Sequence, residues 1–340
     1  MKKVLFFAAA ALTMLAACNK TEVVYDNDPQ EIAMFAVSNV ATKTPVAGAS
    51  FLESDNMQVA AYIANGASEP GNYFNKTLFK KNGAYWTGNP SRFWPITEST
   101  INFLAVTENG GNVADRTEVN FDGTNYASAA TVVLKNNDTF NQTDLMFAAA
   151  QGKCAPNNYS DVDMIFKHAL AWINFQVATS TTGATITVNS ITLNNATYNG
   201  SLALTNNKYA ETGSEVSTND VAAVWTPGEA KTALKVPNAD GSNAATAVTL
   251  DGNAKLFGNG LLVVPDAGAG SFTINYTLEQ EDGTKNTYDY THNLDGDENW
   301  QMAKKYYYNI NITLTEIQID PYVTIWDESH SNVNTSVPLV

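Results

Sequence analysis

The chain has 340 residues and a formal net charge of −15 at pH 7. A protein this acidic is a poor candidate for binding nucleic acid, because contacts to phosphate need clustered lysine and arginine side chains. The length is sufficient for two domains, each with its own hydrophobic core.

The first 17 residues have the features of an export signal. Lys2 and Lys3 precede an apolar run, "VLFFAAAALTMLA", that is shorter than a membrane-spanning helix needs. The run ends in Leu-Ala-Ala-Cys, which resembles the bacterial lipobox, where the signal is removed and the new N-terminal cysteine carries lipid. We therefore expect a signal peptide at 1–17 and a lipid anchor on Cys18; a plain signal peptide followed by a chance cysteine is the alternative. The mature chain then has one free thiol, Cys154, and no intrachain disulfide.

A polar, acidic tether and an unusual strand follow Cys18. Residues 19–30 read "NKTEVVYDNDPQ", a composition typical of a flexible linker. The next residues alternate as a strand does, but both faces are apolar: Ile32, Met34 and Ala36 on one, Ala33, Phe35 and Val37 on the other. An edge strand exposed to water would not have two apolar faces, so we expect this strand to lie between partners or to be covered.

Lys43 is placed to separate this strand from the rest of the chain. It is the only basic residue between Lys20 and Lys76, and it lies in a loop-like stretch. A trypsin-like protease would therefore have one accessible site there. Because Thr44 follows the lysine, Pro45 does not block the bond directly.

The chain from 44 to 326 has the sequence pattern of an all-β protein. Short segments in which apolar and polar residues alternate are separated by Asn, Thr, Ser and Gly. Small and polar residues and a proline at 148–161 predict a boundary between domains at 44–155 and 156–326. The apolar run 163–177 is too long for one strand and predicts two strands, or one strand with a bulge near His168–Ala169. A change of phase at Ser190 predicts another bulge. We also predict a hairpin-like pair from 260–265 and 271–278, and the clearest strand at 306–314.

The C-terminal residues form a separate segment. Residues 327–332 are polar, and 333–340 then alternate again, with one face made of Val333, Thr335, Val337 and Leu339. A terminal strand behind a linker is a candidate for pairing with the open sheet edge of another chain. A frayed or self-docked terminus is the alternative.

Catalytic and metal-binding patterns are not found in the sequence. His168, His292 and His330 are not at metal-ligand spacing, and we interpret His168 as a core residue. We predict no enzymatic activity, no cofactor and no metal; paired carboxylates of a glycoside hydrolase are the weakest alternative. Five tryptophans could form a glycan-binding platform, although core positions explain them better: Trp86, Trp94, Trp225, Trp300 and Trp326.

Several segments taken in order resemble the Bacteroidales-type fimbrillins, the lipoprotein-precursor pilins of type V pili. They are the lipobox, "IAMFAV…TKT", "NMQVAAYI", "DLMFAA", "MIFKHALAWINFQV", "GLLVVP", "YYYNINIT" and "YVTIW". The resemblance implies two transthyretin-like β-sandwich domains in tandem. It also implies a lipidated precursor that reaches the outer membrane, where an Arg/Lys-specific protease removes the first strand and a strand of the next subunit replaces it.

Applied to this sequence, the resemblance implies release of residues 18–43 by cleavage between Lys43 and Thr44. The removable strand is then Ile32–Val37, and the donor strand is within the extension 327–340, at Val333–Val340. The partners would be other copies of the chain and related pilins, in extracellular fimbriae that support adhesion. A monomeric surface lipoprotein, or a tip or anchor subunit that binds glycans, is the alternative function.

Overall fold

The computed structural model of the chain describes residues 29–38, 51, 55–66, 71–109, 116–122, 130–138, 140–155, 158–206, 216–265, 270–294, 299–326 and 337–338. Regular structure in these ranges is almost entirely β-strand, with a short 3-10 helix at Thr218–Asp220. The prediction of an all-β protein is confirmed.

The strands are numbered in chain order. Those up to His168 are β1 (Ala33–Ser38), β2 (Asn56–Gly66), β3 (Gly71–Asn82), β4 (Tyr85–Asn89), β5 (Ser99–Asn109), β6 (Thr117–Phe121), β7 (Ala130–Leu134), β8 (Asp144–Ala155), β9 (Asn158–Tyr159) and β10 (Val162–His168). The next are β11 (Ala171–Ala178), β12 (Ala184–Thr197), β13 (Gly200–Thr205), β14 (Ala222–Pro227), β15 (Lys231–Lys235), β16 (Val248–Thr249) and β17 (Lys255–Leu256). The last are β18 (Leu261–Val263), β19 (Ser271–Gln280), β20 (Lys285–Asn293), β21 (Lys304–Ile312), β22 (Ile317–Ile325) and β23 (Val337–Pro338).

The first sheet closes on itself. Its order is β10-β1-β4-β3-β2-β5-β8-β9, and β10 also pairs with β8 through Lys167↔Phe147 and His168↔Met146. The seven strands from β10 round to β8 therefore form a ring, and β1 is one member of it. The inward-facing side chains of the ring, which include Met57, Phe79 and Phe103, form one buried core.

A second sheet is assembled from both halves of the chain. Its order is β14-β13-β7-β6, and β13 pairs antiparallel with β7 over five residues, from Gly200↔Leu134 to Leu204↔Ala130. This sheet packs on the outer face of β2, β5 and β8, because Leu104, Phe147 and Leu202 belong to the same buried cluster. The first ring therefore has apolar residues on both faces of those three strands, as a sheet covered on both sides requires.

The remaining strands form a β-sandwich. One sheet has the order β17-β11-β21-β22-β23, with β18 also paired to β11, and the other has the order β15-β12-β19-β20, with β16 paired to β12. Their inner faces enclose a core that contains Phe175, Val188, Ile274 and Tyr308. The sandwich follows directly from period-2 alternation: β21 buries Tyr306, Tyr308, Ile310 and Ile312 and leaves the residues between them half-buried.

The predictions for individual strands have different outcomes. The run 163–177 is two strands, β10 and β11, separated at Ala169–Leu170, and the register of β12 shifts between Val188 and Ser190, as predicted. The predicted hairpin of 260–265 with 271–278 is wrong: β18 pairs with β11, and β19 pairs with β12 and β20. The first sheet also continues past residue 156, since β10 belongs to it.

Candidate functional site

The space between β4 and β10, here called the β1 seat, holds the first strand. On one side β1 runs parallel to β10 with the register Met34↔Val162 to Ser38↔Phe166. On the other side it runs antiparallel to β4, with Ala33↔Thr87 and Met34↔Trp86. The strand thus lies between two partners, which is the arrangement that its apolar pattern calls for.

The inner face of β1 is part of the core of the ring. Ile32 and Met34 are fully buried, and Ala36 packs against the same cluster. The outer face is covered less completely than the sequence led us to expect, since Phe35 is 41% exposed. The side chain of Val37 lies outside the described part of the structure, although its backbone pairs with Ile165.

Backbone hydrogen bonds extend the seat beyond the N-terminal end of β1. The Ile32 amide donates to the carbonyl oxygen of Arg92 at 2.7 Å, and the Trp94 amide donates to that of Gln30 at 2.8 Å. Glu31 and Phe93 form an isolated antiparallel bridge at the same place. The whole segment from Gln30 to Ser38 is therefore held as a strand, although β1 itself begins at Ala33.

The C-terminal end of the described chain lies on its own sandwich. Residues 337 and 338 pair antiparallel with the edge strand β22, through Val323↔Val337 and Tyr322↔Pro338. This is the self-docked arrangement that the sequence left open as an alternative for the terminus. The other predicted donor-strand residues (Val333, Thr335 and Leu339) lie outside the described residues, as do Cys18, Lys43 and Thr44.

Comparison with known proteins gives the family. The model of the family described as fimbrillin-like matches residues 42–326, most of the chain. The chain belongs to the fimbrillin-like family. The sequence resemblance to fimbrillins is confirmed by this match.

A solved structure shows the same fold as this fimbrillin-like chain. A fimbrial protein from Bacteroides vulgatus has a TM-score of 0.60 at 15% sequence identity, covering 87% of this chain and 99% of its own. A fimbrial assembly protein from Parabacteroides distasonis has a TM-score of 0.41 at 12% identity, covering 88% of this chain and 100% of its own. No match was found among curated proteins.

His168 in this fimbrillin-like chain is a core residue at the junction of the first ring and the sandwich. Its Nδ1 lies 2.7 Å from Oδ2 of Asp144, and both side chains are buried. Its ring stacks on Trp326, with centroids 4.0 Å apart and planes 4° apart. This partner set explains why a histidine is tolerated inside an apolar strand.

The tryptophans of the fimbrillin-like chain serve mainly as core residues. Four of the five considered for a glycan platform are buried: Trp86, Trp94, Trp300 and Trp326. The fifth, Trp225, is half-buried and donates its indole N–H to the carbonyl oxygen of Ala169 at 2.6 Å. These positions leave little tryptophan surface for stacking on a sugar.

Cys154 is a free cysteine, as predicted, and the structure shows that it is buried. Its Sγ lies 3.4 Å from the carbonyl oxygen of Thr97, and burial raises the pKa of the thiol. A raised pKa disfavours the reactive thiolate, so the environment of this residue is that of a structural cysteine.

Two structural absences apply to the part of the fimbrillin-like chain that the structure describes. Within it, no group of three or more His, Cys, Asp or Glu side chains is arranged to hold a metal ion. In the same ranges no helix is sufficiently long and apolar to cross a membrane.

The sequence pattern indicates β1 but not the two strands, β4 and β10, that form the walls of its seat. Trp86 on β4 and Phe166 on β10 flank β1, and Phe51 contacts both rings. The alternation in β10, with Val162, Met164 and Phe166 on one face, was a visible signal of an inward-facing strand. The parallel pairing of β10 with β1 joins residues more than 120 positions apart, and no local pattern indicates it.

Proposed function

We propose that this fimbrillin-like chain is a structural pilin subunit of a fimbrial shaft, which polymerises when a protease removes β1 and a strand of another subunit takes its place. The observation that carries the proposal is the position of β1. The first described strand of the chain fills a gap in a ring of later strands, so the remainder of the ring is covalently joined without it.

Removal of β1 would open the ring between β4 and β10. The backbone groups of β10 that pair with residues 34–38 would lose their partners, and so would those of β4 that pair with residues 33 and 34. The apolar surface that covers Ile32 and Met34 would meet water. A strand satisfies both requirements at once, because its backbone completes the ladder and its alternate side chains fill the core.

Lys43 is placed where a proteolytic cut would start the exchange of strands. It lies in the sequence between the end of β1 at Ser38 and Phe51, the next described residue, so cleavage after it separates β1 from all later strands. In the proposal Cys18 carries the lipid that anchors the precursor at the outer membrane, and an Arg/Lys-specific protease cuts between Lys43 and Thr44. Residues 18–43 then leave with the anchor.

The donor in this proposal is the C-terminal extension. Residues 337 and 338 would detach from β22, and residues 333–340 would enter the seat of a neighbouring subunit through the face of Val333, Thr335, Val337 and Leu339. The body would correspond to two transthyretin-like domains in tandem, predicted at 44–155 and 156–326, except that β10 of the second range is part of the first ring. The assembled subunits would form extracellular fimbriae on the cell surface that support adhesion.

A monomeric surface lipoprotein, or a tip or anchor subunit that binds glycans, is a second candidate. It would keep its lipid and need not donate a strand. Burial of Trp86, Trp94, Trp300 and Trp326 argues against a tryptophan-lined glycan platform in the described residues, and we favour the shaft subunit.

Limited proteolysis tests the proposal. We expect a low dose of trypsin to give a new N-terminus at Thr44 and polymers that resist mild detergent. Lys43→Gln should prevent both, whereas the matched control Lys20→Gln should leave both unchanged because its site lies before β1. An inert monomer after complete cleavage at Lys43 would refute the proposal.

Deletion of residues 333–340 tests the donor. The truncated chain should fold and should be cut at Lys43, but it should not form polymers. Polymers from the truncated chain would show that another segment is the donor.

A further inference from the structure

Phe51 connects the two walls of the β1 seat. Its ring centroid lies 5.2 Å from that of Trp86 on β4, at an interplanar angle of 90°, and 5.5 Å from that of Phe166 on β10, at 66°. Phe51 is buried in the same core as Ile32 and Met34, and its carbonyl oxygen accepts a hydrogen bond from Nζ of Lys81. The residue is therefore held in place on the inner side of β1.

The two ring contacts and the strand register together indicate where the Phe51 ring lies relative to β1. Trp86 is opposite Met34 and Phe166 is opposite Ser38, so the two wall rings lie at opposite ends and on opposite sides of the seat. A ring in contact with both lies on the diagonal between them. The inward-facing residue of β1 midway between Met34 and Ser38 is Ala36, so we expect the ring to lie below Ala36.

Ala36 is the smallest side chain that β1 directs inward. Ile32 and Met34 precede it at alternate positions and fill the core, and Ala36 packs against the same cluster. A methyl group leaves room below the strand for an aromatic ring, whereas a longer side chain would have to displace the ring or lift the strand. Close packing of protein interiors makes either change costly.

We propose that Phe51 makes the β1 seat selective for a strand with a small residue at the position of Ala36. Such a strand presents two large apolar side chains and then Ala, Gly or Ser at alternate inward positions. The exclusion of larger side chains is a repulsive device, which is one way in which specificity is built. For an incoming strand the inference rests on the proposed strand exchange; for β1 it does not.

Phe51 also belongs to the part of the chain that cleavage after Lys43 would retain. The ring would still contact Trp86 and Phe166 when β1 has left, since none of these three residues is released. The selectivity would therefore act on the strand that replaces β1. Because the proposed donor face of Val333, Thr335, Val337 and Leu339 has no side chain as small as alanine, the seat would bind that face more weakly than it binds the sequence of β1.

A double-mutant cycle on the full chain tests the size match. Ala36→Leu should lower the midpoint of thermal unfolding by about 3 °C or more through overpacking. Phe51→Ala should also lower it, but adding Ala36→Leu to Phe51→Ala should raise the midpoint again, because leucine fills the space left by the ring. If Phe51→Ala does not fold, Phe51→Val should show the same change of sign.

Phe103→Ala is the matched control, since Phe103 belongs to the same core but contacts Trp94 and Phe74 rather than the wall rings. In that background Ala36→Leu should lower the midpoint as much as in the wild type. The same loss in the Phe51→Ala background would overturn the proposal.

Peptide binding extends the test to an incoming strand. A labelled peptide of residues 30–38 should bind the chain that has been cut after Lys43 and freed of β1, and an Ala36→Leu peptide should bind about tenfold more weakly. The difference should disappear with Phe51→Ala, and equal binding of both peptides to the wild type would overturn the proposal. If neither peptide binds, the strand exchange is refuted, and the cycle on the uncut chain still decides the role of Phe51.

Discussion

At the scale of single residues, Trp326 has a large expected effect on stability. It is fully buried, stacks on His168 and lies 5.4 Å from Trp172 between ring centroids. Trp326→Ala should lower the free energy of unfolding by about 3–5 kcal/mol through the cavity it leaves. Chemical denaturation measures this value, and a loss below about 1 kcal/mol would show that the stack is not a stabilising contact.

Tyr307 makes the free energy of unfolding depend on pH in the alkaline range. Burial, with a smaller contribution from Tyr322, raises the pKa of Tyr307 from 10 to about 12. The fold therefore favours the protonated phenol, so this contribution is fully present below pH 10 and is lost as the pH rises through 12.

Tyr307→Phe should remove that dependence. Between pH 9 and 12 the wild type should lose about 2–3 kcal/mol more of its free energy of unfolding than the variant loses. Tyr85→Phe is a matched control at an exposed position. Parallel stability curves for the wild type and Tyr307→Phe over this range would contradict the prediction.

At the scale of elements, the two faces of β1 should differ in their contribution to stability. Met34 is fully buried and Phe35 is 41% exposed on the same strand. Met34→Ala should cost about 2–5 kcal/mol of the free energy of unfolding, and Phe35→Ala less than about 1 kcal/mol. Equal losses in urea denaturation would mean that the outer face of β1 is covered as well as the inner face.

The sequence predicts those elements whose pattern is local. The alternation of β21, the change of phase at Ser190 and the excess length of 163–177 can each be recognised within a few residues, and each corresponds to the observed structure. The apolar faces of β1 likewise indicated that it is inserted between partners. These features depend on the alternation of side chains between the two faces of one strand, and this alternation can be read from the order of the residues.

The choice of partner strands could not be predicted in the same way. Residues 260–265 and 271–278 are close in sequence, yet β18 completes the sheet of β11, and β19 belongs to the opposite sheet of the sandwich. Pairing is decided by which faces must be buried together over the whole domain. For the same reason the contact of Phe51 with Trp86 and Phe166 could not be found from sequence.

At the scale of the whole molecule, the sheet shared by β7 and β13 should couple the two halves of the chain. Leu204 on β13 is buried in the same cluster as Val132 on β7 and Phe147 on β8. We expect a single calorimetric transition, with the van't Hoff and calorimetric enthalpies nearly equal. Two resolved transitions would contradict this coupling.

Leu204→Ala provides a second test of the coupling. The substitution should destabilise the chain by about 2–5 kcal/mol and should shift the whole transition. A shift confined to one part of the transition would mean that the halves unfold independently.

The mass of the subunit in assembled polymers tests most directly whether β1 is a replaceable strand. Polymers formed after cleavage should be purified, dissociated by strong denaturant and analysed by intact-mass spectrometry. We predict a chain that begins at Thr44, with no peptide that covers β1 in the polymer fraction. Polymers whose subunits retain residues 30–38, cut or uncut, would contradict it.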